Sequence, residues 1–356
     1  MPNKATPSGA AALRTLARLC KAVAVSGAER EVRQIVQEEL KGYADELKVD
    51  ALGNVLVTKK GRGRGKRLRV MIDAHMDEVG FMLVAEDGEG LYEFKTIGGI
   101  DPRNLAGKQV VVGKDRTPGV IGAKPFHLAT TDELRHPIAA DALRVDLGPG
   151  GRAKPGDRGT FAPRFRRVGP SLVSKALDDR IGVAILIELV KAAPPNIDLL
   201  AAFTVQEEIG LRGAKVAANY FKPDMAIAID ATPANDLPMQ HEGENTLYNT
   251  KLGLGPAIYI SNASTVDDPR LVHFMVQTAE RAKIPFQFRQ PGGGSTNAGA
   301  IQRSLAGVPV VSVSVPHRYT HSAASISRVE DFNNALRLLS EALRRITPAV
   351  LNRVVA

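Results

Sequence analysis

The chain has 356 residues, one cysteine, no tryptophan and a formal charge of +9 at pH 7. That length fits about two domains, and 44% hydrophobic residues is ordinary for a globular protein with a sizeable core. No apolar run is long enough to span a bilayer, Met1 to Gly9 lacks the apolar segment of a signal peptide, and the lone Cys20 excludes an intrachain disulfide and fits a reducing cytoplasm.

Ala10 to Lys21 has helical spacing, with Leu13, Leu16, Ala17 and Cys20 on one face. Ser26-Gly27-Ala28-Glu29 reads as a capping box ahead of a helix through Val32, Ile35, Val36 and Leu40. A short strand is expected over Asn54–Thr58. The basic run Lys59-Lys60-Gly61-Arg62-Gly63-Arg64-Gly65-Lys66-Arg67 raises nucleic acid as a partner. Its interleaved glycines read more simply as a solvated loop, and aromatics at 5% give poor support to a base-stacking platform. Leu68 to Ala74 is a buried strand that delivers His75-Met76-Asp77 at its carboxyl end.

From about Phe81 to Phe165 the chain breaks into short strand-like pieces separated by glycine and proline, such as Phe81–Val84, Gln109–Val112 and Leu143–Leu147, with one helical hint near Thr131–Arg135. This is a small β-rich, barrel-like domain inserted into an α/β domain. The expected division is 1–80 with 168–356 as the main domain and 81–167 as the insertion. The main domain is expected to be a mostly parallel sheet flanked by helices. Alternation resumes with Ala176-Leu177-Asp178-Asp179-Arg180 and an apolar, buried helix from Ile181 to Val190. Leu199 to Val205 is a strand ending at Glu207 and Glu208. Gly213 to Tyr220 is helical, and Met225 to Ile229 is a strand ending at Asp230. Leu271 to Lys283 is an amphipathic helix. The loop Gly292-Gly293-Gly294-Ser295-Thr296-Asn297 precedes a short helix at Ala298–Arg303. Val308 to Val315 is a strand with His317 to His321 just beyond it, and Val329 to Ile346 closes the chain as a helix.

Metal-capable side chains recur at these strand ends: His75 and Asp77, Asp178, Glu207 and Glu208, Asp230, and His321. Open α/β sheets gather ligands at the carboxyl ends of their strands. So many carboxylates in one crevice resist ionisation unless cations fill it. Neighbouring strand residues face opposite sides, so one carboxylate of the Glu207-Glu208 pair is expected to hold a metal and the other to handle a proton.

His75-Met76-Asp77-Glu78-Val79-Gly80, Ala176-Leu177-Asp178-Asp179-Arg180, Gln206-Glu207-Glu208-Ile209-Gly210, Ala228-Ile229-Asp230 and Arg318-Tyr319-Thr320-His321-Ser322 resemble, in order, the signatures of the tetrahedral aminopeptidases. These are co-catalytic metallopeptidases of the glutamyl, deblocking and endoglucanase-M-like group. Gly119 to Pro125 resembles a segment of the same family. The likeness extends from about Leu13 to Leu343. It implies two metal ions, usually zinc or cobalt, with His75 and Asp230 on one, Glu208 and His321 on the other, and Asp178 bridging. It also implies Glu207 as general base on the attacking water, and Asp77 as the carboxylate that orients His75. Peptides with a free N-terminus are the implied substrates, and a twelve-subunit tetrahedral homo-oligomer the implied assembly. The chain departs from the family pattern at Asn297, where an acidic residue is expected, and at Ser295, where a glycine is. The alternatives are a glycoside hydrolase, which would need two carboxylates and no metal, a nucleic-acid-binding protein using the basic run, and a catalytically silent scaffold.

Overall fold

The structure, a computed structural model, describes residues 9–62, 67–239, 245–246, 248–290 and 292–352. Residues 63–66 of the basic run, and His241, lie outside the described residues. Four parallel strands form the centre of the large sheet, in the spatial order Ile197–Thr204, Leu68–His75, Met225–Pro233 and Val310–Arg318. Each is buried along nearly its whole length, as their near-continuous apolar sequences require of a parallel sheet covered on both faces. Antiparallel strands widen it on either side. Glu46–Val49 and Val55–Lys59 flank one edge, and Ser325–Arg328, Ser171–Ser174 and Phe165–Val168 the other.

Side-chain alternation divides the sheet between two cores. Val70, Ile72 and Ala74 face the larger one, with the helices Gly9–Lys21, Arg30–Leu40, Leu177–Lys191, Pro269–Arg281 and Val329–Arg345. Met71, Leu200 and Val310 face the smaller one, under Arg212–Phe221 and Ala298–Gln302. From Ile181 to Val190 the helix Leu177–Lys191 is apolar but for Glu188, and this stretch is accordingly buried throughout. Cys20 is packed in the larger core, where burial pushes its thiol up to about 11.

Between the two halves of this layer, Gly80–Gly88, Leu91–Ile97, Gln109–Val112, Thr117–Gly122, Arg144–Asp146 and Arg158–Phe161 close into an antiparallel barrel. Phe81, Leu83, Tyr92, Phe94, Ile121 and Val145 fill it with a core of its own. Closure removes the unpaired edges that such short strands would otherwise expose. The expected fold class is therefore the observed one. Phe165–Val168 pairs with Ser171–Ser174 and belongs to the large sheet.

A buried ion cluster ties barrel and sheet together at their junction. Glu78 accepts hydrogen bonds from Lys175 Nζ at 2.7 and 2.8 Å, Arg180 Nη2 at 3.0 Å, the Ala24 N–H at 3.0 Å and the barrel's Thr160 hydroxyl at 3.0 Å. Burial opposes ionisation of Glu78, but the two cations hold its carboxyl below the usual range. Arg180 thus serves Glu78 rather than the acidic crevice.

Four sequence expectations need correction. The capping box at Ser26 does not form: the N-cap is Glu29, which makes no side-chain bond to the helix, and its carboxylate instead accepts from the Gly27 N–H at 2.5 Å. The Ser26 hydroxyl is committed elsewhere, donating to Asp77 Oδ2 at 2.6 Å. Asp230 lies inside its strand, not at the end, because pairing with Val310–Arg318 continues to Pro233. His317 likewise lies within its strand, paired with Ser327. Glu207 and Glu208 are not on a strand, since the strand stops at Thr204.

Candidate active site

Gln206 takes a left-handed backbone conformation, φ 58°, and turns the chain out of the sheet. Strand alternation therefore has no bearing on Glu207 and Glu208. What fixes them is Asp77, whose Oδ1 accepts the Glu207 N–H at 3.0 Å and whose Oδ2 accepts the Glu208 N–H at 3.2 Å and the Ser26 hydroxyl at 2.6 Å. Burial opposes the charge on Asp77, but His75 and these donors hold its carboxyl below the usual range.

His75 ends its strand with Nδ1 3.2 Å from the Asp77 backbone carbonyl and 3.5 Å from the Asp77 carboxylate. The carbonyl can only accept, so Nδ1 carries the proton. The orienting partner is thus the Asp77 main chain more than its side chain. His75 Nε2 then faces Asp178 Oδ1 at 3.1 Å and Asp230 Oδ1 at 3.7 Å. On the far side of the same Asp178 carboxylate, Oδ2 lies 3.6 Å from His321 Nε2, and Glu208 Oε2 lies 3.2 Å from that nitrogen. His321 Nδ1 donates to the carbonyl of Gly99 at 2.7 Å, on the loop that follows a barrel strand. Left-handed conformations at Tyr319 and His321, φ 62° and 57°, turn the chain into this position.

Thus Asp178, Glu207, Glu208, Asp230 and His321 share one cavity of about 380 Å³. His75 and Asp77 stand buried behind it. Burial raises Asp230 to about 7, and burial with the neighbouring carboxylates Asp230, Glu208 and Asp178 raises Glu207 well above its ordinary value. Burial opposes protonation of His321, but Asp178 and Glu208 lift it to about 11.

The donors fit divalent cations. His75, Asp178 and Glu208 each bring one ligand atom within 4.8 Å of the others, and so do His75, Asp179 and Asp230. Glu208 Oε1 and Asp179 Oδ2 are buried with no hydrogen-bond partner, and imidazole with carboxylate is a donor set that suits zinc and its neighbours.

Sequence reasoning passed over Asp179, although the adjacent Asp178-Asp179 pair was the available signal. Its Oδ1 accepts the Gly182 N–H at 2.9 Å. Tyr259, Arg289 and Gly99 also line the cavity, and nothing in their local sequence marks them. The loop residues Gly293, Gly294 and Ser295 reach the cavity wall as well. Asn297 instead points beneath the sheet end, donating to Asp73 Oδ1 at 2.5 Å and Thr204 Oγ1 at 3.0 Å.

The sequence pattern of the family described as M42 glutamyl aminopeptidase matches residues 53–338. A putative aminopeptidase of Acetivibrio thermocellus is 35% identical over 90% of this chain and 95% of its own length. The lysyl aminopeptidase of Pyrococcus furiosus is 31% identical over 93% and 96%. Among solved structures, aminopeptidase APDkam598 of Desulfurococcus kamchatkensis superposes with a TM-score of 0.89 at 32% identity, over 96% of this chain and 97% of its own. The TET1 peptidase of Pyrococcus horikoshii, described as able to assemble into a tetrahedron or a large octahedral shell, superposes at 0.81 with 31% identity, over 94% and 100%. The chain carrying this two-histidine, multi-carboxylate crevice belongs to the M42 glutamyl aminopeptidase family, the tetrahedral aminopeptidases.

Proposed function

We propose that the protein is a metal-dependent aminopeptidase that removes N-terminal residues from peptides, with two divalent ions, zinc or cobalt, in the crevice. The observation that carries this reading is the Asp178 carboxylate lying between two imidazoles, 3.1 Å from one and 3.6 Å from the other. His75 and Asp230 would hold one ion, His321 and Glu208 the other, and Asp178 would bridge them. When bound, the ions would lower the pKa of a water and polarise the scissile carbonyl.

The protein's own groups do the rest. The Asp77 carboxylate fixes the turn that carries Glu207 and Glu208. Glu207, the cavity carboxylate that no ligand role requires, takes the proton of the attacking water and passes it to the leaving amine. The carboxylates lining the cavity favour the substrate's α-ammonium, which restricts cleavage to a free N-terminus. The Gly99 carbonyl holds His321 in the tautomer whose Nε2 faces the crevice.

On this reading the chain divides into a catalytic unit, 1–80 with 168–356, and an inserted assembly unit, 81–167, whose last residues, from Phe165, pair into the large sheet. Copies associate through the barrel into a tetrahedral dodecamer. The support is the exposure of Phe126, Leu128 and Leu134, at 77%, 62% and 60%, together with the assembly described for the Pyrococcus horikoshii neighbour. The deciding experiment is metal analysis of the purified protein with turnover of aminoacyl-nitroanilides before and after chelation. Two equivalents of metal and chelator-sensitive hydrolysis are expected; turnover that survives exhaustive chelation rejects the metal-dependent reading.

A further inference from the structure

The cavity contains one cation that the metal site does not explain. Among the described residues that line it, Arg289 is the one lysine or arginine. Arg289 is 7% exposed, and its guanidinium stacks on Tyr259, 5.0 Å from the ring centroid. Its Nη groups are held by main-chain carbonyls: Gln290 at 3.5 Å, Gly292 at 3.4 Å, and Gly293. Gly294, at φ +93°, belongs to the loop that wraps it, and a Cβ there would come within 3.9 Å of Nη2. Carbonyl dipoles orient the fork without neutralising it. Nε is buried with no hydrogen-bond partner, and no carboxylate of the described residues forms an ion pair with the side chain.

A desolvated guanidinium facing a substrate cavity without a counter-ion is an incomplete pair. An apolar first side chain would complete its desolvation and leave it unpaired. A lysine or arginine side chain would meet like charge. A side-chain carboxylate would complete it, with the planar fork suited to bidentate contact.

Resting on the aminopeptidase reading above, we propose that Arg289 sets the choice of first residue and that the enzyme prefers peptides beginning with glutamate or aspartate. The α-ammonium then goes to the carboxylate end of the cavity and the side-chain carboxylate to Arg289. Family membership does not decide this, since the relatives' own names are divided between glutamyl and lysyl.

The test is a kcat/KM panel of Glu-, Asp-, Leu- and Lys-p-nitroanilides with the metal-loaded enzyme and three variants. Wild type favours Glu and Asp over Leu and Lys by about tenfold or more. Arg289→Met, close in volume, lowers the Glu-to-Leu preference ratio by about 100-fold, mainly through KM for the Glu substrate. Arg289→Lys restores part of that ratio, and Arg289→Glu moves the optimum to Lys-p-nitroanilide. A wild-type optimum at Leu or Lys overturns the proposal, as does an equal loss across the panel in Arg289→Met, the signature of a structural role. So does a loss confined to dipeptides with a free C-terminal carboxylate, which would make Arg289 a clamp for the other end of the substrate. Absence of turnover on every aminoacyl substrate is a different failure, because it removes the aminopeptidase reading itself.

Discussion

Glu207 and Glu208 are neighbours in sequence with different surroundings. Glu208 lies 3.2 Å from His321 Nε2 and keeps one oxygen buried and unpartnered. Glu207 sees the other charges from the cavity wall. Glu207→Gln keeps the shape and removes the proton acceptor, so it should retain metal by elemental analysis while kcat falls by about 100-fold or more. Wild-type turnover in that variant would take the base role from Glu207. Glu78 shows the other use of a buried charge. Glu78→Gln leaves Lys175 and Arg180 charged, buried and uncompensated, and chemical denaturation should show a loss of about 3–5 kcal/mol. The sequence made the ligand candidates legible because histidine and carboxylates that follow apolar runs are conspicuous. It hid Arg289, whose position depends on a loop folding back over Tyr259, a contact between residues that lie 30 positions apart.

At the scale of elements, the turn after Ile197–Thr204 and the turn after Leu68–His75 are joined by a single carboxylate. Asp77 accepts from two main-chain N–H groups and one hydroxyl, and an amide cannot serve all three with one oxygen. Asp77→Asn should lower kcat/KM by about 10- to 100-fold. Ser26→Ala, which removes one donor and leaves both turn contacts, should stay within about threefold, and equal losses in the two would show that the turn contacts do not matter.

The segment leading into Pro269–Arg281 carries a separate pH signature. Asp267 is buried, with one oxygen accepting the Ser312 N–H at 3.2 Å and the other unpartnered, and burial raises its pKa to about 7. The unfolded chain releases this proton near pH 4, so between about pH 4 and 7 the native state binds more protons. Its stability falls as pH rises through that window, with the loss complete above the folded value. Asp267→Asn should flatten the fall, and denaturation midpoints at pH 5 and pH 8 measure it. Most helices and strands were readable because apolar periodicity and length agree, as in Leu177–Lys191 and Leu68–His75. The ends were less so. Pairing across the sheet carried Met225–Pro233 past Asp230, and an unforeseen partner drew Ser26 away from its cap.

For the whole molecule, the barrel and the sheet share more than a chain connection. Gly99 from the barrel side holds His321, and Glu78 gathers Thr160 of the barrel with Lys175 and Arg180 of the main layer. The exposed Phe126, Leu128 and Leu134 lie in the insertion and take no part in these contacts. Light scattering should give a mass well above the 38.1 kDa of one chain. Paired Phe126→Asp and Leu128→Asp substitutions should shift it to smaller species while leaving the fold intact by circular dichroism. An unchanged mass would move the contact elsewhere. The insertion was legible as a β-rich, barrel-like block from its short strands broken by glycine and proline; the strand order that closes it was not, since order and register are set between strands rather than within any one segment.

Cys20 has a practical consequence. The chain's only thiol is fully buried and its pKa is raised to about 11, so at neutral pH it offers almost no thiolate to a reagent. A cysteine introduced at exposed Leu52, outside the apolar set proposed for assembly, would be the one site to take a maleimide spin label or dye, with the native residue left in place. Distances measured between such labels on neighbouring copies would then report the geometry of the assembly in solution.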